Sequence, residues 1–161
     1  MEYVFKRLNT PAGALKLITT NEKLIALLWD TSKLPSSAFS MSEDNNHPIL
    51  CTTEIQLKDF FEGRRTSFEL PIEPQGTLFE KLVWKALLEI PFGETVSYSF
   101  IAHTIGRPKA VRAVGTAIGK NPYSIIIPCH RVIGSNGNLT GFAGGLAAKQ
   151  KLLDFEASRC S

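Results

Sequence analysis

The chain changes character at Pro71-Ile72-Glu73-Pro74-Gln75-Gly76, where two prolines and a glycine read as an interdomain linker, and the elements on either side of the change point to a mixed α+β architecture in two parts, 1–75 and 76–161. Ahead of it, Tyr3–Leu8, Ala14–Thr20 and Leu24–Trp29 are short alternating or apolar runs. They are separated by Asn9-Thr10-Pro11-Ala12-Gly13 and Asn21-Glu22-Lys23, the pattern of an antiparallel meander. A Ser- and Pro-rich connection, Thr31–Asn46, leads to a helix opened by Pro48 that runs to about Glu62 and stops at Gly63, with a short strand expected at Ser67–Ile72. Beyond the change, Thr77-Leu78-Phe79-Glu80 has capping-box spacing, and apolar periodicity continues to about Ile90 before Pro91-Phe92-Gly93 ends it. A shorter helix from about Ser97 to Gly106 and another from Pro108 to about Lys120, with only Gly106-Arg107 between them, read as a helix-turn-helix. A last helix spans about Leu146–Glu156.

Charge divides at the same place. Residues 1–75 carry 8 Lys/Arg against 10 Asp/Glu, while residues 76–161 carry 10 against 5. From Thr95 to Leu153 there is no acidic residue, yet Arg107, Lys109, Arg112, Lys120, Arg131, Lys149 and Lys151 all fall there. A one-sided field of that length suits a polyanion, most simply nucleic acid, although charge alone fits a basic face without a ligand equally well. The three cysteines, Cys51, Cys129 and Cys160, are odd in number and form no CxxC pair, which argues against a disulfide framework and for a reducing compartment. The N-terminus lacks the basic start and apolar run of a secretory signal, and no apolar stretch approaches the roughly 20 residues of a membrane helix. No membrane partner and a cytoplasmic setting are therefore expected.

On the helix expected at Pro108–Lys120, Val111, Val114 and Ile118 share one side, and Arg112, Gly115, Thr116 and Gly119 the other. Glycine inside a helix costs about 1 kcal/mol relative to alanine, so two beside an arginine call for a reason. Close approach to a large partner supplies one; helix-on-helix packing supplies the other.

In Ile125-Ile126-Ile127-Pro128-Cys129-His130-Arg131-Val132, a cysteine after three isoleucines reads first as a core residue. Its surroundings suggest chemistry. Pro128 ends the apolar strand, His130 and Arg131 set cationic or proton-accepting groups beside the thiol, and a Gly-rich loop, Gly134–Gly145, follows. Cationic neighbours lower a thiol pKa from about 8.5 and raise the thiolate fraction that attacks carbon. Adjacent side chains of an extended segment diverge, so His130 would reach Cys129 only through a turn or a water.

The sequence Pro128-Cys129-His130-Arg131-Val132 between an apolar run and a Gly-rich loop resembles the active-site motif of the O6-alkylguanine-DNA alkyltransferases. The resemblance extends over nearly all of residues 77–161, through Val96-Ser97-Tyr98, Arg107–Gly115, Gly119–Pro122 and Gly141–Leu146, and is loose over 1–73. It implies a ribonuclease-H-like N-terminal domain and a helical, winged-helix-like DNA-binding domain. It makes Cys129 the nucleophile that takes an alkyl group from guanine O6, or from thymine O4, with His130 its base through water and Glu156 orienting His130. Tyr98 would donate to the leaving base, and Asn121 would form the hinge between recognition helix and active site; their bland alternatives are a packed first-turn tyrosine and a helix cap. Arg112 would be the finger that replaces a flipped base, with Lys109, Gly115, Thr116, Gly119 and Arg131 as further DNA contacts in the minor groove, and Val132, Phe142, Ala143 and Gly144 lining the base pocket.

A thioether on Cys129 has no good leaving group, so the resemblance implies one turnover per molecule and no cofactor. Neither a Walker loop nor a Rossmann glycine pattern is present. Residues 1–46 hold no cysteine or histidine, and His47 with Cys51 offers at most two ligands, so no structural zinc is expected. Many relatives carry tyrosine where this chain has Phe142, and some serine at Ala143, which removes a hydroxyl contact to the base. The partner implied is duplex DNA bearing O6-alkylguanine, met by a monomer in the cytoplasm, on the nucleoid of a bacterium or in a eukaryotic nucleus. The rival readings are a non-catalytic lesion-recognition protein, a cysteine hydrolase using Cys129, His130 and Glu156 with turnover, and a sequence-reading repressor, the last weakened by glycines where base-reading side chains belong.

Overall fold

Thr10 starts the fold by closing the first hairpin: its Oγ1 accepts from the amides of Ala12 and Gly13 at 3.2 Å and donates to Gly13 O at 2.7 Å. In the computed structural model, which describes residues 3–30, 41–137, 142 and 144–159, this turn joins β1 (Tyr3–Thr10) to β2 (Gly13–Thr19) in antiparallel register from Val4↔Thr19 to Thr10↔Gly13. Gly13 sits at φ 144°, and a Cβ there would lie 3.2 Å from the Trp29 ring, so the turn needs glycine for both reasons. A third strand, β3 (Leu24–Trp29), pairs antiparallel with β2, and β4 (Met41–Glu43) adds to the other edge, parallel to β1, giving the order β3-β2-β1-β4. The end of the expected connection Thr31–Asn46 thus contains a strand; residues 31–40 lie outside the described part.

Helix α1 (Pro48–Phe61) packs across β1 and β2 and buries Leu50, Leu57 and Phe60, and the sheet buries Leu15, Leu17 and Leu27. His47 caps it by accepting from Ile49 N at Nδ1, and Gly63 follows it at φ 79°. The strand expected at Ser67–Ile72 does not form: only Ile72 bridges to Leu24, next to a hydrogen bond from Leu24 N to Pro71 O. Gln56 replaces it, its side-chain amide donating to Glu69 O and accepting from Glu69 N, each at 2.9 Å, while Pro71 has no amide to give a ladder.

The chain divides into two compact units, 1–74 and 75–161. In the second, α2 (Leu78–Leu88) opens on a complete capping box between Thr77 and Glu80, and α3 (Tyr98–Thr104) opens on Ser97. Helix α4 (Val111–Gly119) begins three residues later than expected, because Pro108 and Lys109 form a turn in which Ala110 N bonds Arg107 O and the N-cap residue Ala110 has no side-chain acceptor. Trp84 of α2 donates from its indole to Ala117 O at 2.9 Å and fastens α4 in place. The chain closes with α5 (Leu146–Arg159). A parallel pair absent from the sequence reading, β5 (Val96–Ser97) with β6 (Val132–Ile133), ties the residue before Tyr98 to the residues after Arg131.

Candidate active site

Between α4 and β6 the three isoleucines form no strand. Ile126 N bonds Ser124 O and Ile127 N bonds Tyr123 O, so the chain winds through successive turns. Every residue from 123 to 132 is buried, and a wholly buried apolar run carries no period by which a strand could be told from coil. Asn121 organises the winding: Nδ2 donates to Ile127 O at 2.9 Å and Tyr123 O at 3.4 Å, and Oδ1 accepts from Tyr123 N at 2.9 Å. Ile125 lies at φ 71°, a conformation a β-branched residue adopts only under constraint from its surroundings.

The winding delivers Cys129-His130-Arg131 as a single buried 3-10 turn. His130 is fully buried, with Nε2 against Glu156 Oε2 at 2.5 Å. Burial by itself would raise the Glu156 carboxyl, but hydrogen bonds from His130 and Arg131 outweigh it and hold the group at about 2. An ionised carboxylate can only accept, so Nε2 carries the imidazole hydrogen and Nδ1 the lone pair. Nδ1 is buried with no hydrogen-bond partner among the described residues. Burial depresses the His130 pKa more than Glu156 raises it, which keeps the ring neutral and able to accept a proton.

Burial raises the Cys129 pKa, opposed by hydrogen bonding from Asn121 and by the charge of Lys149. The resting group is therefore a thiol. Its cationic neighbour is Lys149, not Arg131 as expected from sequence. Lys149 is 1% exposed on α5 and donates from Nζ to Val132 O at 2.6 Å. It shares the inner stripe of α5 with Leu152 and Glu156, at the helical spacing that could have singled it out.

Arg131 is corrected more fully. Read as a DNA contact, it is 5% exposed, donates from Nε and Nη2 to the two oxygens of Glu156 at 2.8 and 3.0 Å and from Nη1 to Ile90 O at 2.7 Å, and lies over the Phe92 ring. Its donors face inward because Glu156 needs them. Of the expected pocket residues, Val132 is fully buried in β6, Phe142 and Gly144 are half-buried, and Ala143 lies outside the described residues, as does Cys160. His47 and Cys51 are engaged locally, the thiol donating to Asn45 O at 3.5 Å, and among the described residues no group of three His, Cys, Asp or Glu could hold a metal ion.

Lys109, Arg112, Thr116 and Gly119 are exposed on and just before α4, while Val114, Ala117 and Ile118 are buried beneath. A Cβ on Gly119 would meet nothing within 4 Å, and one on Gly115 would touch the Tyr98 ring at 3.8 Å. An open groove of about 650 Å³ runs beside this face, lined by Phe79, Lys109, Arg112, Thr116 and Lys120 among others. The turn after α4 is held by Asn121, and the strand before Tyr98 pairs with the strand after Arg131, so the helix-turn-helix and the buried cysteine belong to one hydrogen-bonded framework.

A family model described as the DNA binding domain of 6-O-methylguanine DNA methyltransferase matches residues 78–158, and one described as its ribonuclease-like domain matches residues 4–74. The inducible methylated-DNA–protein-cysteine methyltransferase of Bacillus subtilis is 48% identical over 128 residues, 80% of this chain and 69% of its own. The methylated-DNA–protein-cysteine methyltransferase of Mycobacterium tuberculosis is 42% identical over 164 residues, covering 96% of this chain and 93% of its own. The crystal structure of Mycobacterium tuberculosis OGT in complex with DNA matches with a TM-score of 0.88 at 41% identity, over 99% of this chain and 94% of that one.

Proposed function

This chain belongs to the 6-O-methylguanine DNA methyltransferase family, and from that premise we propose that it repairs duplex DNA by moving the alkyl group of O6-alkylguanine onto Cys129. The observation that carries the assignment to Cys129 is Nδ1 of His130, unpartnered among the described residues, in a ring whose other nitrogen is fixed on ionised Glu156, in the same buried turn as the thiol. A water on Nδ1 passes the thiol proton to His130 as sulfur bonds the alkyl carbon and the carbon–O6 bond breaks. The electron pair leaves on guanine, which takes a proton from the Tyr98 hydroxyl. Lys149 supports the negative charge that grows on sulfur, and Asn121 holds the turn. The thioether product keeps no leaving group, so each molecule reacts once.

The lesion reaches a buried cysteine only out of the base stack. Exposed Arg112 occupies the place left behind, and Lys109, Thr116 and the bare surface of Gly119 lie along the DNA on the minor-groove side. Val132, Phe142 and Gly144 border the pocket for the flipped base, and residues 1–75 and 76–161 serve as separate domains. No helix among the described residues is long and apolar enough to cross a membrane, and the setting we infer is that of chromosomal DNA, the cytoplasm or a nucleus.

Intact and peptide mass spectrometry after mixing with a duplex carrying one O6-methylguanine tests the reading. A gain of one methylene unit on the Cys129 peptide, saturating at one per protein and lost in Cys129→Ser while duplex binding persists, is the expected result. Binding without mass gain would make the chain a lesion-recognition protein instead.

A further inference from the structure

We propose that Arg131 is a positioning residue of the transfer reaction: by clamping Glu156 it fixes His130 in the neutral tautomer that accepts the thiol proton. The inference rests on the reading of His130 as the base. Glu156 Oε1 accepts from Arg131 Nε and from Gly93 N at 3.0 Å, and Oε2 accepts from Arg131 Nη2 and His130 Nε2. With donors on both oxygens the carboxylate can neither rotate nor take a proton, so the hydrogen on Nε2 stays there and the lone pair stays on Nδ1. Ile90 O and the Phe92 ring hold the guanidinium from its other sides, so the fork cannot swing away.

Charge balance gives Arg131 a second effect. The groups that act on His130 are Glu156 and Lys149 from α5 and Arg131 from its own turn. A buried imidazole facing a lone carboxylate is drawn toward the imidazolium form, which cannot act as a base. Arg131 and Lys149 oppose that pull. A purely structural ion pair would set only how stable the unit is. A positioning pair also sets the pH at which His130 becomes able to accept a proton.

The test is the single-turnover rate of alkyl transfer from a methylated duplex as a function of pH, alongside duplex affinity, in Arg131→Gln and Arg131→Lys. For Arg131→Gln the expected result is a rate lowered about tenfold or more at neutral pH, an acidic limb moved to higher pH by about a unit, and duplex affinity unchanged, because the side chain is buried. Arg131→Lys keeps the charge without the fork, so its limb returns toward that of the parent protein while its rate stays lowered. Should Arg131→Gln fail to fold, nitrogen NMR of the His130 ring in Arg131→Lys carries the test: loss of the single Nε2–H tautomer supports the clamp, and an unchanged tautomer overturns it. Parent-like rates, or a loss of the same factor at every pH in Arg131→Gln, overturn the proposal. NMR titration of the His130 ring separates this inference from the reading beneath it: a raised His130 pKa in Arg131→Gln supports the clamp even if the parent protein forms no alkyl-cysteine, and an unmoved pKa refutes it even if transfer is robust.

Discussion

Glu156 is the residue on which the site depends most, because it meets two groups that cannot be left unpaired in the interior. Replacing it with glutamine keeps its size and removes its charge, which strands the Arg131 guanidinium at 5% exposure. Breaking a buried pair from one side costs about 3–5 kcal/mol, so Glu156→Gln is expected to lower unfolding stability by that order in a denaturant titration, and to slow transfer beyond what the lost stability explains. A change under about 1 kcal/mol would show that the pair is a neutral passenger. Ile125 shows the same economy from the other side. Its positive φ is an energetic cost of order 1–3 kcal/mol, borne within the wholly buried turns that lead to Cys129.

At the scale of elements, α4 and the turns after it divide the work. Trp84 and the buried Val114, Ala117 and Ile118 hold the helix to its unit, while Arg112, Thr116 and Gly119 stand exposed on its outer face. Gly119→Ala therefore separates stability from function: the added methyl meets open space and removes a flexible residue, so stability should hold or rise by up to about 1 kcal/mol. Duplex affinity should fall at the same time, by fluorescence anisotropy on a lesion-bearing duplex, if α4 lies against DNA. Unchanged affinity would assign the glycine to nothing but chance. At Gly115 the same methyl would press on Tyr98 at ordinary contact distance, so there the two effects would mix.

For the molecule as a whole, the buried titratable groups fix how stability responds to pH. The folded pKa of His130 is lowered by burial, and that of Glu156 is held at about 2 against an ordinary value of 4.5, so for both groups the unfolded chain binds more protons as pH falls. Acidification should first remove stability just below about 6.5, from His130, and then between 4.5 and about 2, from Glu156, the second part being on the order of 3 kcal/mol. Urea titrations at a series of pH values check both windows, and Glu156→Gln should lack the lower one. The charge field also looks different once folded. Of the seven basic residues between Thr95 and Leu153, Arg131 and Lys149 are buried, so the outward field is carried by Arg107, Lys109, Arg112, Lys120 and Lys151.

The sequence by itself determined the elements whose cause is local. The meander follows from alternation and turn residues, α1 and α2 from Pro48, Gly63 and the Thr77–Glu80 box, and the helix-turn-helix from apolar spacing around Gly106. It also marked Cys129, His130 and Glu156, though the last only through a family motif, since a glutamate near the end of a helix has no local signature. What only the tertiary structure decided are the features that depend on which distant groups meet. Glu69 pairs with a side chain in place of a strand, Val96 pairs with Val132, and the isoleucines before Cys129 coil through turns that Asn121 ties together at Tyr123 and Ile127. Arg131 and Lys149 read as two more cations of a basic surface, and they turned inward because a buried carboxylate and a buried carbonyl needed donors. Periodicity encodes which face of an element is apolar; it does not encode which polar group from another element waits on that face.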